Sequence, residues 1–330
     1  MEFKFIKGII EIMNEEGIFQ KNSVILSLAL LCTLLWGSAY PSIKIGYSLF
    51  AIGENDIFSK LLFAGNRFAL AGILVLLLTW IIQKKFPTPK KEALGHIALL
   101  GFIQTTLEYL FFYIGLSHTT GVKSSILNGT ATFMAVILAH FVYSDDKLNA
   151  QKILGCIVGF IGVVIINLGG EFGSGFTFTG EGFIILAAAS FAIGSLISKE
   201  AAKREDSMIV TGWQLLFGGV LLIIVGVLGG AQFSMPSAAA MLLLLYLALL
   251  SSVAFTLWTM LLKHNNVGKV SIYNFLTPVF GVFLSAIFLK ESIWHFKNLV
   301  ALILVCIGIY IVNKPNKFKN DCIKNIDSPS

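Results

Sequence analysis

The chain has 330 residues, 56% of them hydrophobic and 13% charged, with a formal net charge of +6 at pH 7 and a mean hydropathy of +0.83. Soluble domains carry about 25% charged residues, and disordered chains combine low hydrophobicity with high charge, so both classes are excluded and a polytopic membrane protein remains. The positive charges fall in short gaps between apolar runs, a topology signal rather than a nucleic-acid footprint.

In chain order, residues 1–20 mix Phe3, Phe5, Ile6, Ile9, Ile10 and Met13 with Glu2, Lys4, Lys7 and Glu11. They read as an amphipathic helix on the membrane surface, or as a leader to a true start at Met13. A spanning helix needs about 20 mostly apolar residues. Ten such stretches follow, at 23–46, 57–82, 93–116, 121–143, 151–168, 181–199, 208–229, 237–262, 268–289 and 296–313. This divides the chain into a cytoplasmic segment 1–22, a first five-span unit 23–168, a second 181–313 and a polar tail 314–330. With the N-terminus inside, most Lys and Arg fall on the inner side, among them Lys84, Lys85, Lys90, Lys91, Lys203 and Arg204. The outer loops 169–180 and 230–236 carry none. Both termini are therefore expected to be cytoplasmic. Cys32, Cys156 and Cys306 lie in apolar runs and Cys322 in the tail, without metal-ligand spacing.

The chain is similar to itself at a spacing of about 145–155 residues. Asn128-Gly-Thr-Ala-Thr132-Phe133 aligns with Tyr273-Asn-Phe-Leu-Thr277-Pro278, and Asp146 and Glu291 follow at equal distance. Thr106-Leu-Glu108 aligns with Ser252-Val-Ala254, Trp36 and Lys44 with Phe191 and Lys199, and Arg67 with Gln214. Five spans per unit is an odd number, so the second unit enters the membrane upside down relative to the first. Inverted repeats suit alternating access around a site near mid-membrane. Duplication retained only for folding is the bland alternative.

These residues resemble the EamA-type transporters of the drug/metabolite superfamily. The resemblance is carried by Trp36-Gly37-Ser38 with Lys44, Arg67-Phe68, Thr277-Pro278-Val279-Phe280, the Lys290-Glu291 turn, and the glycine-rich span Gly155-Cys-Ile-Val-Gly159-Phe-Ile-Gly162. It covers residues 24–313 and implies ten helices as two inverted five-helix repeats around a central cavity. It also implies export or exchange of a small metabolite such as an amino acid. Phe133 stands where the family often has proline, and Glu108 where it usually has a small residue.

A charge in hydrocarbon costs at least about 2.5–3.5 kcal/mol, so Arg67 and Glu108 should face a cavity or a partner. Arg67 reads as a receptor for an anionic group on the solute, or as a clamp on Glu108 or helix-end carbonyls. Glu108 reads as a proton-coupling site or a partner for a substrate ammonium, or as half of a fixed ion pair with Arg67 or Lys123. Trp36, Tyr40 and Lys44 share a helix face, and Ser124, Asn128 and Thr132 form a polar stripe. Lys44 and Lys123 are expected to reach outward. Trp36, Tyr40, Arg67, Glu108, Asn128, Thr132, Trp213, Gln214, Thr256, Trp258, Tyr273 and Asn274 form the candidate solute-binding set, which packing or interfacial anchoring would also explain. Pro41 and Pro278 are expected to free backbone carbonyls and serve with nearby glycines as bending points. Gly155 and Gly159 permit close helix approach, within a monomer or across a homodimer.

Asp145, Asp146 and Glu291 sit at span ends, where they read as caps. His96, His118, His140, His264 and His295 are scattered, no metal or cofactor site is expected, and no phosphate cradle follows a strand. Enzyme, ATP-driven pump and channel are therefore disfavoured. The reading is a secondary transporter of a small solute, multi-pass in a bacterial cytoplasmic membrane, with membrane lipid as its surroundings and no nucleic-acid partner. A lipid or lipid-linked sugar flippase, or a multidrug exporter of the same fold, is the alternative.

Overall fold

The computed structural model describes residues 17–53, 55–119, 124, 127–166, 176–232, 237–289 and 296–314. Of the surface-helix expectation for residues 1–20, positions 1–16 lie outside the described residues, as do the tail beyond 314, Lys123 and Glu291; the described end is a 3-10 turn, Ile18–Gln20, with Phe19 buried. Helices occupy each of the ten apolar stretches, and no strand occurs among the described residues. They are α1 (Asn22–Leu49), α2 (Ile57–Gln83), α3 (Lys91–His118), α4 (Thr130–Val142) and α5 (Ala150–Ile166). In the second unit come α6 (Phe178–Arg204), α7 (Ser207–Leu228), α8 (Ala238–His264), α9 (Val267–Ser271, Ile272–Phe275 and Leu276–Leu289 in succession) and α10 (Phe296–Asn313). Among the described residues seven helices, α1 to α3 and α6 to α9, are long and apolar enough to cross a membrane; the apolar helices at α4, α5 and α10 are shorter. The chain is thus an all-helical, multi-pass membrane protein.

Polarity is inverted relative to a soluble fold. Leu77, Leu78, Trp80 and Ile81 of α2, Leu242 of α8 and Tyr310 of α10 are exposed, whereas Arg67, Thr105, Gln214 and Ser251 are buried. Lipid cannot satisfy a polar group, so such groups must find partners inside. Glycine permits the closest packing. A Cβ on Gly72 would come within 2.5 Å of the Leu216 backbone nitrogen, and one on Gly65 within 2.7 Å of that of Ile223, so α2 and α7 touch along their backbones. Likewise a Cβ on Gly308 of α10 would lie 2.6 Å from the Gly155 carbonyl oxygen, and one on Gly159 would meet the Phe275 ring. The α5 glycine pattern is thus filled by the same chain.

The internal hydrogen bonds come in pairs. Arg67 Nε donates to Ser251 Oγ (2.8 Å), and at the aligned positions Thr105 Oγ1 donates to Gln214 Oε1 (2.9 Å). Ser252 Oγ donates to the Ala71 carbonyl (3.0 Å), and Thr106 Oγ1 to that of Gly218 (3.2 Å). In each pair the second helix of one unit is tied to the third helix of the other. The ends of α3 and α8 match as well, with Thr119 and Asn265 both extended at the cap. Thr119 Oγ1 bonds Glu181 at the start of α6 (2.6 Å), and Asn265 Nδ2 bonds the Phe19 carbonyl just before α1 (2.9 Å).

Candidate functional site

α1 supplies one wall of an internal chamber. Trp36, Tyr40, Ile43, Lys44 and Tyr47 recur at the 3.6-residue period and line a cavity of about 370 Å³. Close approach to α9 holds that wall: a Cβ on Gly37 would lie 2.6 Å from Phe280 Cβ, and one on Gly281 2.9 Å from the Tyr40 ring. The helix continues through Pro41. Trp36 meets Trp258 (5.0 Å), Phe255 (5.5 Å) and Phe191 (6.1 Å) edge-on, the geometry that aromatic quadrupoles favour. Phe191 and Phe255 reach the chamber surface while Trp258 packs behind.

α3 supplies the facing wall. Residues Gly101–Leu107 widen into a π-helical segment, and such segments recur at functional sites. Directly after it come Glu108, Tyr109, Phe112, Tyr113 and Leu116, all on the chamber. Ser124, Asn128 and Ala131 close a third side, and Asn274 and Thr277 a fourth. The 3-10 turn Ile272–Phe275 carries Asn274, whose Oδ1 accepts from Thr277 Oγ1 (3.0 Å). Of the nineteen described lining residues, fifteen come from residues 23–168.

Two ionisable side chains of opposite kind, Arg67 and Glu108, line this space. Arg67 is 2% exposed; its Nε is held by Ser251, whose own hydroxyl donates to the Leu247 carbonyl (2.8 Å). Its guanidinium lies 5.0 Å from the Phe68 ring centre. Among the described residues neither Arg67 nor Glu108 forms an ion pair. Among the described residues Glu108 Oε2, Trp36 Nε1, Ser124 Oγ and Tyr47 Oη, all on chamber-lining side chains, are buried without a hydrogen bond. An unsatisfied buried polar atom costs about 1–3 kcal/mol, so these four are the atoms of the wall with hydrogen-bonding capacity to offer a solute. No group of three or more His, Cys, Asp or Glu suited to a metal occurs among the described residues.

Of the twelve candidate solute-binding residues, Trp36, Tyr40, Arg67, Glu108, Asn128 and Asn274 meet here. The other six lie outside the described lining. Thr132 points its hydroxyl at the Ser271 carbonyl (3.4 Å), Trp213 donates to that of Pro87 (2.7 Å), and Gln214 is spent on Thr105. Thr256, Trp258 and Tyr273 are buried. Lys44, expected to reach outward, lines the chamber. Tyr47 and Tyr113 were not singled out; each continues a stripe already visible, seven residues beyond Tyr40 and four beyond Tyr109.

The opposite end is clasped. Lys199, the counterpart of Lys44, is buried and donates to the Asn265 carbonyl (2.8 Å), with Tyr143 beneath it (4.7 Å). Asp146, also buried, pairs with Lys152 and accepts from the Gly268 backbone N–H (2.8 Å). Asn266 bonds the Asp145 carbonyl (2.8 Å).

A bundle of apolar helices around an aromatic chamber lined by Arg67 and Glu108 and clasped at one end defines a multi-pass membrane protein with an internal cavity. The EamA-like transporter family matches residues 23–168 and 178–314. The chain belongs to that family, within the drug/metabolite transporters, and is a membrane transporter. An uncharacterised transporter of Archaeoglobus fulgidus is 28% identical over 292 residues, spanning 86% of this chain and 95% of the relative. A Salmonella typhimurium protein described as a probable amino-acid metabolite efflux pump is 26% identical over 294 residues, spanning 86% of this chain and 93% of its own length. A solved crystal structure, 15% identical, superposes with a TM-score of 0.73 over 93% of this chain and 100% of that one, a likeness of fold alone.

Proposed function

We propose that the chain is a secondary transporter that exports or exchanges an amino acid or a closely related zwitterionic solute. In this reading ten helices cross the bacterial cytoplasmic membrane as two inverted five-helix units with both termini inside. The carrying observation is the pair of ionisable side chains of opposite kind, Arg67 and Glu108, in one aromatic chamber. A carboxylate would answer Arg67, an ammonium group would answer Glu108, and the aromatic walls would receive an apolar side chain. The paired braces between second and third helices support the inverted repeat. The clasp around Asp146 and Lys199 supports rocking between two openings, since one end is bonded shut while the other carries the chamber. The Salmonella relative's printed description favours the same solute class. Glu108, with no ion pair among the described residues, is the residue that would couple solute movement to a proton.

The test is flux of radiolabelled amino acids in proteoliposomes, with and without a pH gradient, for the parent and Glu108→Gln. Gradient-stimulated flux that the variant loses supports the reading. Equal rates and equal pH dependence in both proteins remove Glu108 from coupling. Scrambling of labelled lipid without amino-acid flux would replace the solute reading with a flippase.

A further inference from the structure

The two ionisable residues of the chamber lie at nearly the same depth. Arg67 is ten residues from the start of α2 and Glu108 ten from the end of α3, so both lie about 15 Å from the end where α1 closes and α2 begins. Their side chains diverge from there. Helical side chains lean toward the N-terminus of their own helix, and α2 and α3 are successive helices running in opposite directions. Arg67 therefore leans toward the Tyr47 end and Glu108 away from it, toward Trp36. Tyr47 and Tyr113 both line the chamber, two and five residues from that same end, whereas Tyr40 stands nine residues from it, nearer the level of Glu108. Among the described residues the Tyr47 hydroxyl oxygen is buried without a hydrogen bond.

We propose that Arg67, Tyr47 and Tyr113 form an anion receptor at the Tyr47 end of the chamber, and that Glu108 with Tyr40 forms a cation receptor on its Trp36 side. The solute is thereby held in one orientation, ammonium toward Trp36, and the two phenols read its carboxylate. This assignment rests on the zwitterion reading above. It adds Tyr47 and Tyr113 as specificity residues and fixes the direction in which the solute lies. A phenol donates a hydrogen bond to a carboxylate and accepts one from an ammonium, so the Tyr47 and Tyr113 hydroxyls would serve the carboxylate beside Arg67 and the Tyr40 oxygen the ammonium beside Glu108. Removing one such bond to a charged group lowers affinity about tenfold or more.

The experiment measures calorimetric binding to the full-length protein in detergent, using three probes of one shape. L-Phenylalanine carries both charges, phenethylamine lacks the carboxylate, and 3-phenylpropionate lacks the ammonium. Tyr47→Phe and Tyr113→Phe are each expected to weaken phenylalanine and 3-phenylpropionate about tenfold and to leave phenethylamine within about twofold. Glu108→Gln is expected to do the reverse, weakening phenylalanine and phenethylamine. The phenethylamine arm also verifies that the tyrosine variants are folded. Equal losses for all three probes in the tyrosine variants would mean that the phenols only shape the cavity, and would overturn the assignment. Unchanged binding of all three would overturn it too, while leaving the zwitterion reading in place. If the parent protein binds none of the probes, the zwitterion reading fails and the assignment falls with it.

Discussion

Replacing Asp146 with alanine should unfasten the clasped end of the molecule. Its carboxylate accepts from the backbone N–H of Gly268, the second residue of α9, at 2.8 Å, so a residue of the first unit caps a helix of the second. A hydrogen bond to a charged group contributes about 1.5–3 kcal/mol, and a negative charge at a helix N-terminus a further 0.3–1 kcal/mol or so. The variant also strips Lys152, whose side chain is 13% exposed, of its partner, a change that brings the total to about 3–5 kcal/mol. Each factor of ten corresponds to about 1.4 kcal/mol. If the bridge exists only while this end is closed, the balance between the two openings shifts by about two orders of magnitude or more. The assay places Ser124→Cys on the chamber wall, in a protein whose four native cysteines are alanine, and follows its labelling by a membrane-impermeant thiol reagent. Asp146→Ala should slow labelling from the Tyr47 side and speed it from the other. Unchanged labelling, together with a lowered melting temperature, would show that the bridge persists in both states, and would refute its role as a clasp.

Two further outcomes follow from packing. Gly72→Val should force α2 from α7, because even a single Cβ there would lie 2.5 Å from a backbone nitrogen; overpacking of this kind costs about 1–3 kcal/mol or more, and thermal unfolding in detergent should report it. Gln214→Leu should lower thermal stability by roughly 1–3 kcal/mol through the orphaned Thr105 hydroxyl, yet leave solute affinity unchanged, since Gln214 is not among the described lining residues. A loss of affinity without a loss of stability would contradict that placement.

Much of this architecture is legible in the order of residues, because lipid permits so few solutions. Uninterrupted apolar length marks a helix wherever backbone groups must satisfy one another, and α2 at Ile57–Gln83 and α10 at Phe296–Asn313 lie where hydropathy places them. The interior is harder to read. Every face of such a helix is apolar enough to be either lipid-facing or buried, so nothing local reveals that α7 lies behind α2 and α3, which takes Trp213 and Gln214 away from the chamber. The stripe Ser124, Asn128, Thr132 shows a second limit. Steps of four residues overshoot a 3.6-residue turn by about 40° each, and by Thr132 the face has turned from the chamber to the Ser271 carbonyl. The π-helical segment Gly101–Leu107 carries no local signature, although it sets the angle at which Glu108 and Tyr109 enter the site. The aromatic face of α1 was readable through Lys44; only its continuation to Tyr47 needed three dimensions.

The braces that tie α2 to α8 and α3 to α7 match in one pair, hydroxyl to carbonyl, and differ in the other: a guanidinium stands at one position and a neutral carboxamide at its counterpart. Only the guanidinium also faces the chamber. Because fifteen of the nineteen described lining positions fall within residues 23–168, an engineer could reshape the chamber wall there and leave the α7 ends of the braces untouched.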